Sequence, residues 1–457
     1  MSRLLLVVVL GACVGPGDKP DTHTTPDTLT VDGLDLSLAK IETVVRARWE
    51  TATPTRSDVV ATFEGGEITV SEAEPTTTHE VLLVGIPALT RVDVRVAAEG
   101  TDGVVEGTVT TGATPAWVPD LDYHAEDPDA TEGGVRIVPV INAGGGGVLA
   151  VDDLGRVVWA WPPEDTGSPL TPFRARLSRD GTAVLFNEGA QAVDTYGHVW
   201  RVGLDGEGAT RTGLLGSHTD FVEYADGGYA ALGWDIREVE GRKILGDTIR
   251  EVSPDGTERL VWSAWDDFTP DLSQTYGSFY PADPTVEDWT HINGISYDPD
   301  EDDFYVTITI SNGVARVDRQ SGDLVWWLSD FQGGDFANVD GHSRVEMPHS
   351  VQRIDGGVTV FSRGNPNNPS TCSAVVDIAL DETTWEAREV WRHETEDCLL
   401  VTFLGGAERL PGGNTLVSWT TAGRLSEVTP SGGIAWQVST PLGAAFGFSE
   451  QVPRLGP

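Results

Sequence analysis

Between residues 29 and 112, apolar and polar positions alternate in short stretches. Residues 44–49, 57–63 and 90–96 are rich in β-branched side chains and are bounded by Gly, Pro, Thr or Asp. Such stretches predict strands rather than helices. Six or seven of them within about 85 residues predict an immunoglobulin-like or fibronectin-like β-sandwich. Residues 113–131 carry prolines and a run of acids and read as a linker.

From residue 132 to 457 the pattern changes into a repeat. An apolar strand is followed by an Asp-Gly or Pro-Gly-Gly turn, a second strand, and a hairpin ending in an exposed tryptophan. Residues 149–159, 315–326 and 427–436 are three copies, and others end at Trp200, Trp262 and Trp391. The turn recurs at Asp180-Gly181, Asp226-Gly227, Asp355-Gly356 and Gly412-Gly413. Four short strands repeating every 40 to 60 residues or so bury their faces only by stacking in a ring, which predicts a six-bladed β-propeller. The expected fold is therefore all-β, a sandwich followed by a propeller. The long insertion at 264–287 is expected to cover one face of the ring.

In such a ring the innermost strands of successive blades point towards one axis, so residues distant in sequence converge there. Three histidines occupy the same phase: His218 before Asp226, His291 before Asp298 and His349 before Asp355. The whole chain has 9 histidines, which makes a shared phase for three of them informative. Converging imidazoles can bind a transition metal or serve as nucleophile and acid–base groups on an anion. No His-x-x-x-His or His-x-His pair is present, and no cofactor motif stands in a strand–helix context. The acidic run at 298–303 lacks the EF-hand order and reads as a solvated hairpin.

Charge narrows the partners. With 30 basic and 71 acidic residues the formal net charge is −41, which repels phosphate backbones and anionic lipid. Nucleic acid is excluded as a partner, and membrane contact is expected only through an anchor. Arg3 followed by the apolar residues 4–10 reads as a signal peptide (1–12). Leu10-Gly11-Ala12-Cys13 resembles a bacterial lipobox, which makes Cys13 the expected lipidation site and 13–28 a flexible tether. A lipid-anchored protein of the cell envelope follows. In that oxidising compartment the remaining pair, Cys372 and Cys398, reads as a disulfide.

The segment Asp288-Trp289-Thr290-His291-Ile292-Asn293-Gly294 closely resembles a signature of the bacterial arylsulfotransferases. The segments around His218-Thr219-Asp220, and around His349 followed by 360–365, resemble that family in order and position. The resemblance covers roughly residues 130–450. It implies nucleotide-independent sulfuryl transfer from a phenolic sulfate to a phenol, with no cofactor. It maps the nucleophile that carries the sulfuryl group onto His349, supporting groups onto His218 and His291, and an oxygen-contacting amide onto Asn293. Thr402 is its loose match to a threonine before the last blade. Two departures stand out. The family's arginine on the strand after His-x-Asn is missing from residues 306–311, and a second histidine beside His218 is replaced by Thr219. Arg363 is the candidate to supply the missing charge from another direction. The rival expectation is a non-catalytic propeller that binds a ligand or partner, its histidines remnants or metal ligands.

Overall fold

The computed structural model describes residues 31–456 apart from 101–102, 143–145, 163–170, 278–279, 332, 369–370 and 442. The expected signal peptide, Cys13 and the tether lie outside the described residues. The chain is nearly all β, with 2% helix. Among the described residues no helix is long and apolar enough to cross a membrane.

Alternation builds the N-terminal unit. In Arg91–Ala98 every second side chain is buried, and Val45–Thr55 does the same over its first half. One sheet holds Val31–Leu38, Val45–Thr55 and Thr76–Leu83, and the other holds Gly66–Ser71, Ser57–Phe63, Arg91–Ala98 and Val104–Thr110. Their inner faces share a core of Trp49, Val59, Ala61, Val81, Val94 and neighbours. This unit is fastened to the rest of the chain. Arg46 pairs with Asp205 at 2.7 Å, and the Thr43 hydroxyl donates to the Val158 carbonyl at 2.8 Å.

The remainder forms six sheets, antiparallel apart from the short parallel strands Glu287–Asp288 and Ala337–Asn338, and the first strands of sheets three to six lie side by side. In chain order the first strands of sheets two to six are Ala175–Leu177, Ser217–Glu223, Ile292–Asp298, Pro348–Ile354 and Gly406–Arg409. Sheet one is built on Val135–Asn142 and receives its innermost pieces, Ala444–Phe446 and Glu450–Val452, from the far end of the chain. Residues 113–131 are more than a linker: Asp122–His124 adds an outer strand to sheet six against Ile434–Ser439. Glycine closes the repeating turn because the backbone turns left-handed there, as at Gly227 (φ 87°) and Gly356 (φ 71°).

The repeat tryptophans correct one expectation. Trp159, Trp262, Trp326 and Trp436 are at most 2% exposed, Trp200 is buried and Trp391 is half-buried. The reason is a β-bulge in front of five of them. The register skips Val158, Val261, Val325, Val390 and Ala435, one position before each indole. One extra residue turns the following side chain inward. Several of these indoles then bond the next sheet: Trp159 to the Leu204 carbonyl, Trp391 to that of Pro430 and Trp436 to that of Asp152.

Candidate functional site

The first strands of sheets three, four and five each begin with a register shift, at His218/Phe221, Ile292/Ile295 and Pro348/Ser350. Each shift has a non-glycine residue with positive φ beside it: Thr219 (38°), His291 (49°) and Met347 (49°). A bulge at the start of a strand re-aims its side chains. Here it turns three of them into one cavity of about 380 Å³ at that end of the sheets. Gly294 lets sheets four and five close up; a Cβ there would lie 2.7 Å from the His349 carbonyl oxygen.

His218, His291, Asn293, His349, Arg363 and Thr402 all line this cavity. Thr402 is exposed at its rim, and the others are buried or half-buried. The walls include Trp234, Phe173 and Phe403, and Pro281 from the long insertion. Asn293 donates to the Thr309 hydroxyl at 3.1 Å, which in turn donates to the Pro348 carbonyl at 2.7 Å. Thus where the arginine of the resembled family is missing, a buried threonine fixes the amide.

Two of the imidazoles are tied to carboxylates. His218 Nε2 lies 3.0 Å from Asp247, and His291 Nδ1 lies 2.5 Å from Asp288. His349 differs. It is 2% exposed, packs on the Phe448 ring at 5.2 Å, and its Nδ1 is buried without a hydrogen-bond partner. Burial first, then the neighbouring Arg363 and His291, holds its pKa well below the ordinary histidine value; the Gly405 main chain opposes this and is outweighed. A neutral ring is a nucleophile and a protonated one is not.

Arg363 is the second unusual group. It is 8% exposed, and no carboxylate among the described residues pairs with it. Its Nε is buried and unbonded, and one terminal nitrogen faces the Met347 sulfur at 4.0 Å. Burial lowers its pKa, yet a guanidinium stays charged in proteins. A buried cation without a counter-ion, facing a cavity, is an anion site in waiting. Disulfide Cys372–Cys398 ties the segment after Arg363 to the segment before Thr402. The adjacent Ser373 hydroxyl donates to the Arg363 carbonyl at 2.5 Å and accepts from the Val401 amide at 2.7 Å, joining the Arg363 and Thr402 segments.

Sequence reasoning missed Asp247, Trp234 and the Asp220–Arg174 pair. Asp220 is fully buried and accepts from Arg174 and from the Ile295 amide at 3.0 Å, which locks sheets two, three and four beneath the cavity. Asp247 sits mid-strand in Arg242–Val252, 29 residues from His218, with no motif around it. Among the described residues no group of three or more His, Cys, Asp or Glu is placed to hold a metal.

Comparison with known proteins bears on this arrangement. Residues 125–340 match the arylsulfotransferase (ASST) family. The match is consistent with a divergent member of that family and covers just under half of the chain. It ends before His349 and Arg363. None of the curated proteins matches the chain. Among solved structures, a protein of unknown function from Bacteroides caccae is 13% identical, with a TM-score of 0.39 over 67% of this chain and 93% of its own. The β-propeller domain of Cps50 (Swd1) from Myceliophteria thermophila is 10% identical, with a TM-score of 0.39 over 71% and 90%. Virginiamycin B lyase from Staphylococcus aureus is 11% identical, with a TM-score of 0.34 over 69% and 74%.

Proposed function

We propose that this cavity moves a sulfuryl group from a phenolic sulfate to a second phenol, and that His349 carries the group between the two legs. The observation that carries the reading is the pairing of a buried, neutral imidazole with a buried, unpartnered guanidinium in one cavity. A ring nitrogen of His349 attacks sulfur, the S–O bond to the phenol breaks, and an N-sulfo intermediate forms. Arg363, Asn293 and His291 face the sulfuryl oxygens, where the transition state spreads its charge. Arg363 thereby supplies, from sheet five, the charge that the family draws from the strand after His-x-Asn. Trp234, Phe173 and Phe403 offer flat apolar walls to the aromatic ring, and Thr402 contacts substrate at the rim.

The finer features belong to the same reading. The six sheets are the blades of a propeller, and the N-terminal pair of sheets is an immunoglobulin- or fibronectin-like sandwich. Export and lipidation at Cys13 put the reaction in the cell envelope. The deciding experiment is transfer of sulfate from p-nitrophenyl sulfate to phenol by the wild type and by His349→Ala. Phenol-dependent nitrophenolate release that disappears in the variant is expected. Release that survives His349→Ala sinks the nucleophile assignment, and a wild type without transfer sinks the reading.

A further inference from the structure

Thr219 has no part in the transfer as described so far, yet its surroundings are those of a proton relay. Its hydroxyl lies 2.9 Å from His218 Nδ1, and His218 Nε2 lies 3.0 Å from Asp247 Oδ1. Asp247 is 1% exposed, and its other oxygen accepts from the Thr290 hydroxyl at 2.5 Å and the Ile292 amide at 2.8 Å. A carboxylate receiving three hydrogen bonds acts as an acceptor, so His218 Nε2 carries a proton. In the neutral ring Nδ1 is then the acceptor, and the Thr219 hydroxyl is its donor. Hydroxyl, imidazole and carboxylate follow in the order that lets a weak hydroxyl exchange a proton.

The local structure holds this order in place. The His218 ring stacks on Trp234 at 5.0 Å with 13° between planes. Thr219 reaches its position at a φ of 38°, in a region that β-branched residues avoid. Both His218 and Thr219 line the cavity that holds His349 and Arg363. With both ring nitrogens already bonded, His218 reaches a substrate proton only through Thr219.

We propose that Thr219, His218 and Asp247 form a hydroxyl-mediated acid–base relay for the phenolic oxygen; this rests on the sulfuryl-transfer reading above. On the first leg His218 enters protonated on both nitrogens. As the S–O bond breaks and the N–S bond to His349 forms, the leaving oxygen takes the Thr219 hydroxyl proton. Thr219 takes the Nδ1 proton of His218 in exchange, which leaves that ring neutral. On the second leg the acceptor phenol gives its proton to Thr219, and Thr219 returns one to His218 Nδ1. The phenol oxygen then bonds to sulfur and the N–S bond breaks. Charge balances on each leg, and the enzyme returns to its starting state.

The test compares two donors, because kcat/KM for the donor reports the first leg alone. Nitrophenolate leaves without a proton, whereas phenolate from phenyl sulfate needs one. Thr219→Val is expected to lower kcat/KM for phenyl sulfate by about 10²- to 10³-fold and for p-nitrophenyl sulfate by less than about tenfold. Thr219→Ser, which keeps the hydroxyl, is expected within about tenfold of wild type on both. At a pH where the His218 ring is neutral, long-range ¹H–¹⁵N spectra are expected to show its Nε2–H tautomer in the folded wild type and a changed Nδ1 shift in Thr219→Val. Equal losses on the two donors, no loss on either, or the Nδ1–H tautomer overturns the relay while transfer by the wild type stands. A wild type that transfers from neither donor overturns the sulfuryl-transfer reading, and the relay falls with it.

Discussion

At the scale of single residues, Arg363 holds a conflict between stability and function. A guanidinium that is 8% exposed and lacks an anionic partner costs folding free energy until a ligand supplies the anion. Arg363→Met keeps the length and apolar stem while removing the charge. It is expected to raise stability by about 1 kcal/mol or more and to lower sulfuryl transfer by about 10²-fold or more. Adding sulfate should raise the Tm of the wild type and leave that of Arg363→Met unchanged. Calorimetry of the two proteins with and without sulfate checks this, and a variant less stable than wild type would refute it. The same residue marks how far the site could be read from sequence. The three histidines shared a phase, and the departures at 306–311 and at Thr219 were visible as departures. Asp247 was not legible, because a carboxylate in the middle of a β-strand has no local pattern to announce its partner 29 residues away.

At the scale of strands, alternation and turn residues were enough to predict sheets and their repeat, since each strand needs one face buried and each turn needs a left-handed glycine. The bulges were not legible. One inserted residue leaves composition untouched yet reverses which side chain faces inward, and so the tryptophans looked exposed in the sequence. The outer strand Asp122–His124 was hidden for a related reason: three residues are too few for periodicity. The opposite ends of the first strands carry a second consequence. Glu408 on Gly406–Arg409 and Glu450 on Glu450–Val452 line a cavity of about 200 Å³ with Arg174, Arg176 and Glu223. Burial, and then the charge of Glu450, pushes the Glu408 pKa up to about 8 from an ordinary 4.5. The folded protein therefore keeps a proton that the unfolded chain releases once pH rises past about 4.5. Stability from this group is present at low pH and lost as pH climbs towards about 8. Glu408→Gln, still able to accept from the Gln451 amide, is expected to match wild type near pH 5 and exceed it at pH 8.5. Urea unfolding at the two pH values decides, and parallel pH dependences would count against the buried proton.

At the scale of the whole molecule, the cavity exists only where sheets three, four and five meet, because His218, Asn293 and His349 come from three different sheets. Sheet six in turn packs against sheet one. The indole of Trp436 donates to the Asp152 carbonyl at 3.2 Å, and the Arg136 guanidinium stacks over the Trp436 ring at 4.4 Å. Arg136 also pairs with Glu427 at 2.6 Å, both side chains fully buried. Glu427 further accepts from Asn414, the Thr131 hydroxyl and the Glu132 amide, each at 2.7 Å. Removing one partner leaves the other charge buried and unpaired, so Arg136→Ala is expected to cost about 3–5 kcal/mol. Replacing both, Arg136→Met with Glu427→Leu, removes the two desolvation costs together and is expected to recover most of that loss. The N-terminal sheets have their own core around Trp49 and should keep their melting behaviour in either variant. A thermal-unfolding cycle over the wild type, Arg136→Met, Glu427→Leu and the double variant isolates the coupling. A cost below about 1 kcal/mol for Arg136→Ala is what an exposed pair gives, and would mean that backbone pairing of Ala444–Phe446 and Glu450–Val452 with Val135–Asn142 holds the C-terminal segment in place without help from the ion pair.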